Sequence, residues 1–178
     1  MWGVLPRAGV SNQELAGSGN RGRKNQRINL CRQNHQLAPA LPYESKELLS
    51  LEAYVAHQSR GMPIAPPVDA RLAPFTVRGE QLFGRRFGQL NLSCAACHDD
   101  RAGLRLGGSP IPQGHATGYP VYRLEWQGLG SLQRRLRGCL AGVRAELYAY
   151  GAQEWVALEP YMANRAQGMA VETPAERP

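Results

Sequence analysis

Cys94, Cys97 and His98 stand together in the stretch LNLSCAACHDD, residues 90–100. A Cys-x-x-Cys pair can hold zinc, work as a redox dithiol or attach a c-type haem. The histidine that follows at once favours the third. Two thiols then reach the two vinyl groups of one haem, and the next residue turns its imidazole onto the iron. The pattern is read as one covalently bound haem c, with His98 as an axial ligand.

The second axial ligand decides the chemistry. Methionine is usual in electron carriers and raises the potential. Downstream lie Met162 and Met169. Met162 falls on the apolar face of a helix and reads as core, while Met169 follows a helix stop. His115 lies in a Gly/Pro-rich stretch and could reach iron, although a solvent-facing or propionate-contacting role suits it better. Cys139 follows Leu136-Arg137-Gly138 in an arginine-rich helix. Residues four apart share a helix face, so Arg135 projects beside Cys139. A nearby guanidinium lowers a thiol's pKa and favours thiolate, the form that ligates iron and attacks sulfur. The same arginine could hold a small oxyanion. Cys139 could instead be a buried small apolar residue, or form a disulfide with Cys31. The residues alone leave open sulfur chemistry at Cys139, a non-catalytic monohaem electron carrier with His/Met ligation, and a structural protein stapled by its haem.

The elements that must position these residues echo one another. YESKELLSLEAYVAHQSRGMPI, from Tyr43, aligns with YGAQEWVALEPYMANRAQGMAV, from Tyr150, at a shift of 107 residues. Tyr43 meets Tyr150, Glu47 meets Glu154, Leu51 meets Leu158, Glu52 meets Glu159, Tyr54 meets Tyr161, and Gly61-Met62 meets Gly168-Met169. A cysteine precedes each copy, Cys31 and Cys139. The echo predicts a duplicated unit, of which only the second keeps Cys-x-x-Cys-His. Leu48, Leu51 and Val55 recur at helical spacing, as do Trp155, Leu158 and Met162. Ser45 is the expected N-cap of the first helix, and Gly61 and Gly168 stop the two. Further helices are expected over 77–87 and 131–144. The stretch 106–127, broken by Gly and Pro, reads as loop. The expected fold class is mainly α, with duplicated cytochrome-c-like domains, the N-terminal one incomplete and lacking its haem motif. The expected divisions are 1–27, a disordered or misassigned N-terminus; 28–70, a partial N-terminal domain; and 74–178, the C-terminal haem domain.

Of 178 residues, 43% are hydrophobic, enough for a modest core. No run approaches the 18 apolar residues of a membrane span. MWGVLPRAGVSNQELAG lacks the sustained apolar region of a signal peptide. Covalent haem attachment in bacteria is extracytoplasmic. The expectation is therefore a periplasmic protein whose signal segment is missing through truncation or a wrong start. The net charge of +7 gathers in Arg21, Arg23, Lys24 and Arg27, and in Arg134, Arg135 and Arg137. The first cluster reads as a solvated, disordered tail. No aromatic interleaving or recognised motif marks a nucleic-acid surface, so no such partner is expected.

The segments GQLNLSCAACHDD, LGGSPIPQGHATGYPVYRLEWQGLGSLQRRLRGCLAGVRAELYAYGAQEW and RAQGMAVETPAERP resemble the A subunits of the sulfur-oxidation cytochrome complex SoxAX. The resemblance runs from about Ile28 to the C-terminus. INLCRQNH and YVAHQSRGMPI look like that family's N-terminal domain. The resemblance implies an L-cysteine S-thiosulfotransferase, which joins thiosulfate oxidatively to a cysteine of the carrier SoxYZ. Electrons would leave through haem to the cytochrome subunit SoxX. It also implies His98 and Cys139 as axial ligands of the haem held by Cys94 and Cys97. Cys139 would carry a catalytic persulfide and Arg135 would bind substrate, with Arg134, Arg137 and Arg144 as weaker anion or propionate contacts. Some members carry a second haem in the N-terminal domain. No Cys-x-x-Cys-His precedes Cys31 here, so one haem is expected and Cys31 has no upstream cysteine partner.

Overall fold

The computed structural model describes residues 24–177. Its elements run α1 Lys24–His35, α2 Lys46–His57, α3 Ala73–Gly84, α4 Cys94–His98, β1 Arg105–Leu106, β2 Ser109–Pro110, β3 Val121–Arg123, β4 Gly128–Gly130, α5 Leu132–Gly142, α6 Gln153–Arg165 and β5 Ala175–Arg177.

Local chemistry sets the helix ends. The hydroxyls of Ser45, Ser93 and Ser131 accept the N–H groups of Leu48, Ala96 and Arg134, each satisfying a donor that the first turn leaves unpaired. Pro74 sits in the first turn of α3, where its missing N–H costs no helical bond. That helix therefore starts and ends earlier than the expected 77–87. The expected 131–144 helix is Leu132–Gly142 behind its Ser131 cap. The middle stretch is not all loop. β1 pairs antiparallel with β2, and β3 pairs antiparallel with β4 and parallel with β5. Strands of two or three residues are too short to carry a readable period. The chain remains mainly helical.

The main core forms where α3 and α6 cross. Leu82 and Phe83 of α3 meet Trp155, Ala157 and Leu158 of α6, with Leu140 of α5 closing the cluster. Trp155 donates its Nε1–H to the Ala149 carbonyl oxygen at 3.0 Å. Met162 is buried with this face of α6, as its helical spacing implies. In α2 the buried face comprises Leu48, Leu49, Glu52, Ala53 and Ala56, whereas Leu51 and Val55 are exposed. The stripe expected there is rotated, because α2 buries a carboxyl that a hydropathy pattern assigns to solvent.

The two echoed segments meet each other. The rings of Tyr43 and Tyr150 stack with centroids 6.2 Å apart and planes 9° apart. Gly61 and Gly168 both have φ +80°, a conformation that glycine adopts without a side-chain clash. The helices before them already end at His57 and Arg165. Beyond the glycines the backbones pair reciprocally. Gly61 donates to Val171 (2.9 Å) and Gly168 to Ile64 (2.8 Å); Ile64 donates to Met169 (2.8 Å) and Val171 to Met62 (2.9 Å). The 107-residue shift carries each bond onto its counterpart, so this seam has local two-fold symmetry.

Glu52 and Glu159 also lie within electrostatic reach of each other at this junction. Burial pushes the Glu52 carboxyl up to about 8, with Lys24 acting against the rise and Glu159 adding to it. Glu159 accepts the Gln133 side-chain amide at 2.7 Å, and Gln133 in turn accepts the Gly151 N–H at 2.9 Å. Burial lowers the Lys24 pKa, opposed by Glu52 and Glu159. Lys24 is therefore not part of a solvated tail. Helix α1 runs through residues 24–27, so the boundary expected at 28 falls inside it. Arg21 and Arg23 lie outside the described residues.

Candidate haem-binding site

Helix α4 is positioned by the end of α5. After α3, Phe87 donates to the Leu92 carbonyl at 2.9 Å and Leu92 returns a bond at 3.3 Å. Between them the chain lies on residues 143–145. A Cβ on Gly88 would stand 2.1 Å from the Val143 carbonyl oxygen. The N–H groups of Gln89 and Leu90 donate to Arg144 and Val143, both at 3.3 Å. This docking carries the chain into the Cys94–His98 turn beside the helix that bears Cys139.

The three sulfurs are close enough to feel one another's charge. Burial pushes the Cys94 thiol up to about 11, and Cys139 adds to the rise, followed by Cys97. Burial therefore disfavours the Cys94 thiolate. Thioether formation removes that ionisation altogether.

His98 closes α4. Its Nδ1 lies 2.7 Å from the Pro112 carbonyl oxygen. A carbonyl only accepts, so Nδ1 carries the proton, and in the neutral ring the lone pair is then on Nε2. This is the tautomer and support that a metal-ligating histidine requires. A Cβ on Gly114 would meet the ring at 3.3 Å, and the Phe83 ring lies 6.5 Å away, tilted by 38°. The donor set thus fits a haem c: two thiols in one short helix, an imidazole whose Nδ1–H is held, and a third sulfur on α5 within electrostatic reach.

Arg135 is the strongest influence lowering the Cys139 pKa, with Arg123 next, but burial outweighs both and the net shift is upward. An arginine one turn back reduces the cost of burying a thiolate without cancelling it. Cys139 and Cys31 are both free thiols, so they do not form the disulfide left open by the sequence. Around Cys139 stand Arg135, Arg123 and Tyr119. Burial pushes the Tyr119 phenol up, with Arg135 the strongest influence in the other direction. The Glu125 carboxylate lies 2.9 Å from Arg123 Nε and 4.0 Å from Arg135 Nη1. Two guanidinium groups and a phenol around one sulfur can receive a small oxyanion, with Glu125 holding both arginines at the rim.

Arg134 and Arg137 pack against aromatic rings. Arg134 lies over the Trp126 ring at 4.5 Å and 4.0 Å from a Glu44 carboxylate oxygen. Arg137 donates to the Tyr148 carbonyl and lies over the Tyr150 ring at 4.7 Å. Arg144 is exposed, His115 is half-buried and Met169 is exposed. Pro112, Tyr119, Arg123 and Glu125 were not identified as site residues from the sequence. All four lie in the stretch read as loop, where no periodicity marks a role.

The family model for the SoxA/TsdA cytochrome c domain matches residues 22–64 and 78–171. The L-cysteine S-thiosulfotransferase subunit SoxA of Rhodovulum sulfidophilum is 36% identical over 152 residues, covering 85% of this chain and 53% of its own. The subunit of the same name from Paracoccus pantotrophus is 39% identical over 127 residues, covering 71% of this chain and 43% of its own. The crystal structure of SoxXA from P. pantotrophus superposes with a TM-score of 0.83 at 32% identity, over 86% of this chain and 58% of that one. The chain therefore spans about half the length of the curated relatives it matches. With both helical halves matched in sequence and the fold shared with SoxXA, this chain belongs to the SoxA/TsdA cytochrome c domain family.

Proposed function

We propose that the chain is the catalytic cytochrome part of an L-cysteine S-thiosulfotransferase. The observation that carries this reading is that Cys139 lies within electrostatic reach of Cys94 and Cys97 and of Arg135 and Arg123, in a chain of this family. Cys94 and Cys97 would attach one haem c covalently, and His98 and Cys139 would ligate its iron. When bound, the haem supplies a one-electron redox centre. The His98 imidazole is held by Pro112. Arg135, assisted by Arg123, draws thiosulfate to Cys139 and orients its oxygens by charge-assisted hydrogen bonds. Cys139 carries the reactive sulfur as a persulfide. In the net reaction a carrier cysteine thiol loses its proton, a new S–S bond forms to the outer sulfur of thiosulfate, and two electrons leave.

The carrier is SoxYZ, and SoxX is the partner subunit that takes the electrons. The SoxXA structure that this chain resembles motivates that pairing. Among the described residues no helix is long and apolar enough to cross a membrane. A periplasmic location follows from covalent haem attachment. The symmetric seam and the Tyr43–Tyr150 stack support a duplicated cytochrome-c-like pair, with Cys-x-x-Cys-His at residues 94–98 in the second half.

The test is thiosulfate-dependent modification of a SoxYZ cysteine, read by mass spectrometry, using haem-loaded protein paired with SoxX. Cys139→Ala should retain its covalent haem and abolish the modification. A haem-loaded Cys139→Ala protein with the parent's rate overturns the catalytic reading and leaves plain electron transfer.

A further inference from the structure

Arg165 is the last residue of α6, far in sequence from the haem motif. Its side chain is 19% exposed. One nitrogen, Nη2, donates to Asp99 Oδ1 at 2.5 Å and to the Gln113 carbonyl oxygen at 3.0 Å. The guanidinium carbon lies 4.4 Å from the centre of the Phe83 ring.

The two acceptors occupy particular places. Asp99 follows His98, and Gln113 follows Pro112, whose carbonyl receives the His98 Nδ1–H. A single guanidinium thus ties the residue after the imidazole to the residue after its hydrogen-bond acceptor. The β1–β2 hairpin, continued by bonds from Gly103 to Ile111 and from Ile111 to Leu104, both 2.8 Å, brings the chain back to residue 111, and Arg165 adds the tie between positions 99 and 113. Phe83 supports the arginine from α3 and also lies beside the His98 ring.

We propose that Arg165 is a positioning residue for His98. It sets the separation between the end of α4 and the segment at 112–113, and so holds the Nδ1–H bond to Pro112 at its short length. The proposal rests on the haem reading given above. An imidazole whose Nδ1–H is firmly donated is a more basic ligand at Nε2. A charge-assisted bond to Asp99 and a cation–π contact with Phe83 give the latch its stiffness. An arginine that only tied α6 to α4 would affect melting and leave the imidazole unchanged.

The test uses the full chain matured with its haem in a bacterial periplasm, as parent, Arg165→Met, Arg165→Lys and Asp99→Asn. The readouts are the NMR shift and solvent-exchange rate of the His98 Nδ1–H, and the haem reduction potential. Arg165→Met should move that resonance upfield, speed its exchange several-fold and raise the potential. Arg165→Lys, which keeps a cation over Phe83, should recover part of each change. Asp99→Asn should loosen the Nδ1–H by a smaller amount. A haem-loaded Arg165→Met protein with the parent's Nδ1–H shift and exchange rate overturns the proposal, whatever its melting temperature. If Arg165→Met fails to load haem, Asp99→Asn decides: a parent-like resonance there overturns the latch. If His98 of the parent shows no haem-dependent shift, the haem reading itself fails, an outcome distinct from failure of the latch alone.

Discussion

Gly79 on α3 and Ala157 on α6 meet backbone to backbone: a Cβ on Gly79 would lie 2.2 Å from the Ala157 carbonyl oxygen and 2.7 Å from the Tyr161 Cβ. Neither obstacle is the flexible end of a side chain, so the helices must move apart to admit a methyl group. Gly79→Ala should cost ~3 kcal/mol, at the upper end of overpacking penalties, despite alanine's better helix propensity. Denaturant unfolding of haem-loaded protein measures it, and an unchanged midpoint would show that the crossing is looser than described.

Arg135→Ala should lower kcat/KM for thiosulfate by about 10- to 100-fold, the range set by losing one charged hydrogen bond. Haem content should stay at the parent's level. Arg135→Lys should recover part of the loss, since it returns the charge without the planar fork. Steady-state kinetics with varied thiosulfate checks both variants. An Arg135→Ala enzyme with parental kcat/KM removes this residue from substrate binding.

Glu52 should make the fold sensitive to alkali. Its folded-state pKa is raised to about 8 by burial, so between the unfolded value near 4.5 and 8 the native state binds more protons than the unfolded state. Stability then falls as pH rises through that window. Lys24, lowered by burial, works in the opposite sense toward its unfolded value of 10.5, because losing its proton relieves the cost of a buried charge. Glu52→Gln should flatten the decline between pH 5 and 8. Thermal melts across pH 5–9 report it, and parallel curves for the two proteins would remove Glu52 as the cause.

Ser93→Ala removes the N-cap of the five-residue helix that carries the haem motif. A lost cap costs about 0.5–2 kcal/mol. The loss should appear in a chemical melt of the haem-loaded protein. A change well below that range would mean that the covalent haem, rather than Ser93, holds the turn.

The helices were readable because their information is local. Ser45 precedes the apolar run it caps, and Met162 shares a helical stripe with Trp155 and Leu158. The Tyr43/Tyr150 echo was visible as a repeat, though not as a stack of one ring on the other. Cys94, Cys97, His98 and Cys139 could be singled out by residue type and spacing. What surrounds them could not. Pro112 serves His98 through a backbone carbonyl, which every residue possesses, and it does so across 14 positions. Arg123 and Glu125 come from a strand and the turn after it, too short for periodicity. Counting helix neighbours placed Arg135 beside Cys139 and gave the direction of its influence, but not the opposing effect of burial, which is a property of the packed fold.

The reciprocal seam gives the first half of the chain a mechanical task. Residues 61–64 grip the backbone just past the end of α6, only a few positions beyond Arg165. The first echoed segment therefore acts as an abutment for α6, whose last residue, Arg165, reaches Asp99 beside His98. Excising it would spare Cys94 and Cys97 and leave α6 cantilevered.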